Sequence, residues 1–232
     1  MKTRQLKWLT LTLIAACTPI KSSSIVTNSI YPEFSAVSDG ETISVKAKLY
    51  LESPNNGTFI ELDEADSLMV QYGEETYDLN QSFGGFGSLS ADFSESGQEE
   101  IMFVLHKNQA QIDGSMVILP DNFDILGPTE SASLGGDDML DIRWSATEEE
   151  DDMHVKIEGM CIKTHEDIIS ASRGEYPFPV YALQRNVLGE AQDSCNVTIT
   201  LEQRKVGVLD DSFDDGVIFG AQQRSVTVSI TH

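Results

Sequence analysis

The chain has 232 residues, 40% of them hydrophobic and 23% charged, a balance typical of globular proteins and unlike that of disordered chains. It sets 38 Asp and Glu against 15 Lys and Arg, a net charge of -23, with no basic cluster. That excess excludes nucleic acid as a partner and disfavours electrostatic adhesion to anionic lipid, while the length allows one large domain or two of about a hundred residues. The first patterned stretch is "MKTRQLKWLTLTLIAAC". Lys2, Arg4 and Lys7 form a positive segment, and Trp8 to Ala16 an apolar run of nine residues closed by Ala15 and Ala16. The run fits the ~7–15 residues of a signal-peptide core and falls short of the ~20 needed to span a bilayer.

The tetrad Ile14-Ala15-Ala16-Cys17, placed after that charged segment, resembles the lipobox of bacterial lipoproteins. The resemblance implies cleavage before Cys17, a diacylglycerol on its thiol and acylation of the new amine. Ile14 departs mildly from the Leu usual at that place. Thr18, where Asp would favour retention at the inner membrane, implies the outer membrane as destination. An ordinary secretory signal cut near Ala16 is the alternative. Two or more acyl chains hold a protein firmly where one does so only marginally. On this reading residues 1–16 are a leader and residues 17–29 an acylated tether, expected as a flexible coil spanning ~20 Å. The mature chain keeps 12 Lys and Arg against all 38 acids, a net -26.

Beyond the tether the apolar residues alternate with period two. "TISVKAKLYLE" sets Ile43, Val45, Ala47, Leu49 and Leu51 on one face, and Asn56-Gly57 after it signals a tight turn. "SLMVQYGEETYDL" predicts two strands around Gly73, and "EIMFVLH" and "SMVILP" predict two more. The Gly- and Ser-rich run from Gln81 to Gln98 predicts an irregular strand with long loops. Pro120 marks a break, which places a first β-sandwich at 30–119 and a second at 120–232.

In the second unit "FDILGP" predicts a short edge strand, and "DMLDIRW" directs Leu140, Ile142 and Trp144 inward. "MHVKIEGMC", "CNVTITLEQ" and "RSVTVSI" keep the same alternation, while "HEDIISAS" reads as one or two helical turns. Cys161 and Cys195 share the phase of their apolar neighbours. With Cys17 acylated they remain as a pair, and export to an oxidising compartment implies a disulfide between them; two buried thiols are the alternative. Inward cysteines near an inward Trp144 resemble the immunoglobulin-like theme, without the spacing of antibody domains. The expected fold class is all-β, as two immunoglobulin-like β-sandwich domains after a cleaved signal peptide and short tether; a single large sandwich or barrel is the alternative.

Chemistry-bearing motifs are sparse. The histidines are His106, His154, His165 and His232, and Cys161 with His165 makes only half a zinc site. No Gly-x-Ser-x-Gly elbow, phosphate loop or His-Glu-x-x-His pair occurs. "LDDSFDDG" offers Asp210, Asp211, Asp214 and Asp215 as calcium candidates, but its register is not that of an EF-hand, and a solvated turn uses the same residues. "TEEEDDM" reads as a solvated acidic loop. "EYPFPVYAL" carries Tyr176, Phe178 and Tyr181 on a proline-bearing edge, suited to a partner contact or to core packing. The whole pattern resembles that of bacterial envelope lipoproteins with immunoglobulin-like domains, whose roles are unknown. The expectation is a lipid-anchored, non-catalytic binding or structural module of the cell envelope, without cofactor. It would hold the membrane through Cys17 and meet an envelope protein or polymer. The alternatives are an envelope hydrolase using carboxylates in the acidic loops and a calcium-dependent adhesion module.

Overall fold

The computed structural model describes residues 19–81, 87–97, 100–130, 132–146, 151–185 and 194–231. In chain order the strands of the first half are β1 (Ile20–Lys21), β2 (Ile30–Ser38), β3 (Thr42–Leu51), β4 (Ile60–Glu61), β5 (Ser67–Tyr72), β6 (Glu75–Asp78), β7 (Asn80–Gln81), β8 (Ser88–Ser94), β9 (Glu100–Lys107) and β10 (Ala110–Ile118). Those of the second are β11 (Ile125–Gly127), β12 (Ser133–Leu134), β13 (Met139–Trp144), β14 (Asp152–Gly159), β15 (Ile162–Ser170), β16 (Glu175–Pro179), β17 (Ser194–Val206) and β18 (Val217–Thr231). The only helical pieces among the described residues are short 3-10 turns. The protein is all-β, and each half is a sandwich of two sheets.

In the first sandwich the sheet β10-β9-β5-β6 faces β2, β3 and β8. Alternation buries Leu68, Val70 and Tyr72 of β5 and Ile101, Phe103 and Leu105 of β9 against Phe34 of β2 and Ile43, Val45 and Ala47 of β3. The Phe34 and Phe103 rings stack across the interface with centroids 4.5 Å apart. In the second, β11-β13-β16 faces β15-β14-β17-β18. There Leu140, Ile142 and Trp144 meet Met153, Val155, Ile157, Val197, Ile199 and Leu201. Trp144 is buried, and its Nε1 donates to the Ala171 carbonyl at 2.7 Å.

One strand joins the two. β18 pairs in parallel with β2 from Val217 to Gln222, and antiparallel with β17 from Phe219 to Thr231. The order β15-β14-β17-β18-β2-β3-β8-β7 is therefore a single sheet running through both halves. On β18 the inward side chains change character along the strand. Ile218 enters the first core, Gln222 is buried midway, and Val226, Val228 and Ile230 enter the second. Gln203 of β17 faces Gln222 across the ladder, and the adjacent Ser38 ends β2. Buried amides and a hydroxyl at this waist break the apolar continuity, so two cores form on one sheet rather than one. Gly220 permits the close crossing of β10, since a Cβ there would lie 2.7 Å from the Ile118 carbonyl oxygen.

The first core also takes residues from far along the chain. Phe213 and Ile218 are buried in it and Leu209 packs against it, although they lie well beyond the break expected at Pro120. Two further expectations change. "HEDIISAS" forms most of β15 and ends in a 3-10 turn, because each residue from Asp152 to Ile157 on β14 has a partner on β15, and a ladder outweighs local helical preference. The tether is not a free coil from Ile20 onward. β1 pairs in parallel with β4, Ser22 is fully buried, and two 3-10 turns carry the chain to β2.

Candidate functional site

The clamp on residues 20–29 is built from polar groups. Ser22 Oγ donates to Asp66 Oδ2 at 2.6 Å and accepts from the Asp63 N–H at 2.9 Å. Asp66 Oδ1 accepts from the Asn108 N–H at 3.0 Å. Asn108 and Gln109, with φ of 52° and 68°, form the two-residue hairpin turn between β9 and β10, a left-handed pair that suits the strand twist. Lys107, 4% exposed, donates from Nζ to the Ile25 carbonyl at 2.6 Å. Ser23 N–H donates to Asp63 Oδ2, and hydrogen bonds from Ser23, with Lys21 nearby, hold the Asp63 carboxyl below its usual range. Cys17 itself lies outside the described residues. No helix of the described residues is long and apolar enough to cross a membrane.

At the opposite end Cys161 and Cys195 form a disulfide, their Cα atoms 6.2 Å apart. It does not sit in mid-core as the shared phase suggested. Cys161 lies in the turn between β14 and β15, Cys195 opens β17, and both pack at the margin of the second core. The bond ties a hairpin tip to the start of the neighbouring strand. Met160, 83% exposed, stands next to it.

The residues of "EYPFPVYAL" divide. β16 is an edge strand of its sheet, as the prolines suggested. Tyr176 is buried and Phe178 packs against the second core, whereas Tyr181 is 76% exposed. Tyr176 donates its hydroxyl proton to Asp167 Oδ2 at 2.8 Å, and His165 Nε2 lies 3.1 Å from the same hydroxyl. The Phe178 ring tilts over His165 at 4.4 Å between centroids. Burial and the Asp167 hydrogen bond push the Tyr176 phenol up to about 12, so it stays a neutral donor. These groups close the seam between β15 and β16, the two sheet edges that meet there. Their hydrogen bonds are spent on one another, which gives a structural latch. His154, on the outer face of β14, is driven towards its neutral form by burial and by Arg204. It lines an open, mixed-charge groove with Lys156, Glu166, Glu202 and Arg204.

The four calcium candidates lie in the loop between β17 and β18. Asp210 accepts the Gly114 N–H on Oδ2 and the Ser212 N–H on Oδ1, both at 2.8 Å. Burial pushes its carboxyl up, but the Ser212 and Gly114 hydrogen bonds outweigh that and hold it low. Asp215 accepts the Gly216 N–H. Asp210 thus pins the loop to β10, and Phe213 drops from the same loop into the first core. Among the described residues no three His, Cys, Asp or Glu side chains gather as a metal cluster. Of the acidic run "TEEEDDM", residues 147–150 lie outside the described residues, and Asp151 accepts from Gln203 Nε2 at 3.1 Å. His232 also lies outside them.

No protein-family model and no curated protein matches the chain. Among solved structures it is similar to a two-domain fibronectin type III segment of chicken tenascin, at 12% identity over 87% of this chain and 99% of that one, with a TM-score of 0.26. It is also similar to fibronectin(III)-like modules of Clostridium thermocellum CbhA, at 12% identity over 87% of this chain and 90% of that one, with a TM-score of 0.23. The sandwich assignment stands on this chain's own strand pairing.

Proposed function

We propose that this is a lipid-anchored protein of the bacterial cell envelope, held by acyl chains on Cys17 at the outer membrane, that works as a non-catalytic binding or structural module. The observation that carries the reading is the leader. A basic segment and a nine-residue apolar run end in Ala15-Ala16-Cys17, directly ahead of a folded domain that starts at Ile20. The fold supports the second half of the reading. The strands spend their side chains on two cores, and the titratable clusters at Asp66, Asp167 and Asp210 use their oxygens to fasten segments of the chain. The partner on this reading is an envelope protein or polymer.

The experiment is fractionation of the parent and of Cys17→Ser, with mass measurement of the mature amino terminus. The parent is expected in the membrane fraction with a diacylated or triacylated Cys17, and the variant in a soluble or unprocessed form. An unmodified Cys17 overturns the anchor. Crosslinking of the anchored parent in intact envelopes then identifies the partner. Turnover of an envelope polymer or ester, lost on changing a single side chain, would overturn the non-catalytic part.

A further inference from the structure

Strand directions fix where the anchor end lies. β2 runs from Ile30 towards Ser38, and β18 continues past Ser38 in the same direction to Thr231. The second sandwich therefore begins where β2 ends. The start of β2 and the end of β3, at Ile30 and Leu51, mark the opposite pole. β4 crosses beside the end of β3 through the Tyr50–Phe59 bridge, running in the direction of β2, and β1 is parallel to β4. β1 thus enters from the pole and runs towards the second sandwich. The clamp groups Asp63, Asp66 and Asn108 sit at this same pole, because β5 begins and β9 ends there.

Resting on the lipid-anchor reading, we propose that the protein stands upright on the bilayer. In this orientation the pole carrying Asp63, Glu64 and the Asn108-Gln109 turn faces the lipid headgroups, and the disulfide-tied tip of the second sandwich is the end furthest from them. Cys17 precedes Ile20 by three residues, which reach at most about 11 Å when extended. The clamp leaves no slack beyond that, since Ser22 is buried and Ile25 is held by Lys107. The nine residues of β2 and the following Gln223–Thr231 of β18 span roughly 60 Å from pole to tip at ~3.3 Å per residue. The tip carries Cys161–Cys195, the loop before β13 that lies against the Thr231 carbonyl, and the exposed Tyr181, whose neighbour Val180 donates to the Asp138 carbonyl. Short reach and a clamped strap convert a lipid tether into a fixed orientation.

The test places one reporter at each end of the acylated full chain in vesicles of phosphatidylethanolamine and phosphatidylglycerol. With Cys17 acylated and the other two cysteines bonded, a thiol introduced by Glu64→Cys or Tyr181→Cys is the single labelling site, and both positions are exposed. Energy transfer to a headgroup-labelled acceptor lipid is expected to be at least about fivefold greater from position 64 than from position 181, given the separation of roughly 60 Å. A twelve-residue Gly/Ser insertion between Thr18 and Pro19, which lengthens the tether by about 20 Å, should bring the two signals closer together. Vesicle-bound protein with equal or reversed transfer overturns the orientation while leaving the anchor intact. Protein that does not float with the vesicles and carries an unmodified Cys17 overturns the anchor reading, and the orientation with it.

Discussion

The two sandwiches solve the same packing problem with different fasteners. The first pins its ends with polar clamps: Ser22 and Lys107 hold the strap, and Asp210 holds the long loop before β18. The second pins its tip with a covalent bond between Cys161 and Cys195, and its open seam with the Tyr176–Asp167 hydrogen bond. The first also borrows Phe213 and Ile218 from the far end of the sequence, so it is not self-sufficient, whereas every residue of the second core lies between Phe123 and Ile230. A polar clamp can be opened one group at a time, whereas a disulfide acts on the unfolded chain as much as on the folded one.

The largest expected effects test whether the halves are coupled. Phe34→Ala in the first core or Trp144→Ala in the second should each cost about 3–5 kcal/mol. Because β18 serves both cores, calorimetry of the parent should give one cooperative transition, and either variant should lower it as a whole. Two separated transitions, with only one moved, would break the coupling. Next in size is reduction of Cys161–Cys195, which closes a loop of 34 residues and should cost ~3–4 kcal/mol by chain entropy. Hydrogen exchange should show the loss first in β14, β15 and β17. Equal melting with and without reductant would remove the contrast between the halves.

Asp66→Ala is a smaller change, of about 1–3 kcal/mol, because it leaves buried Ser22 Oγ and the Asn108 N–H without their acceptor. Limited proteolysis should then cut within residues 20–29 while β14 to β18 stay protected. Unchanged protection of that strap would show that β1 pairing alone holds it. The smallest effect concerns acid. Burial and the Arg204 charge hold the folded pKa of His154 below the ~6.5 of an ordinary imidazole, so the unfolded chain binds the proton more readily. Its contribution is therefore present above about pH 6.5 and lost as pH falls through the depressed folded value. His154→Gln should flatten that limb in a stability–pH profile, and an unchanged limb would assign it to other groups.

Much of the fold was legible in the sequence because period-two alternation survives wherever one strand face is buried. β3, β5, β9, β13, β14 and the end of β18 fall where their apolar residues predict. Three features were not legible, each because a distant partner decides it. β15 takes its conformation from β14. Residues 20–29 are polar, and only the positions of Asp63, Asp66 and Lys107 in space reveal that they dock. The first part of β18, "VIFGAQQ", extends the alternation seen in "RSVTVSI" backwards, yet its pairing with β2 joins segments some 180 residues apart. Of the candidate residues, the pairing of Cys161 with Cys195 matches the shared phase of the two cysteines with their apolar neighbours, but its place at the tip was not legible. The His165–Tyr176–Asp167 latch has no sequence signal beyond an aromatic edge strand.

The shared strand has a kinetic consequence. Residues 217–222 lie between β17 and β2 in the sheet, yet they follow every strand of the second sandwich except the rest of β18 in synthesis. The first half therefore cannot complete its sheet when its own residues emerge from the ribosome. It must wait for a contact of very high sequence separation, of the kind that makes β topologies fold slowly. Such a delay fits the proposed export, since a chain threaded through a membrane before folding gains when its final closure comes late.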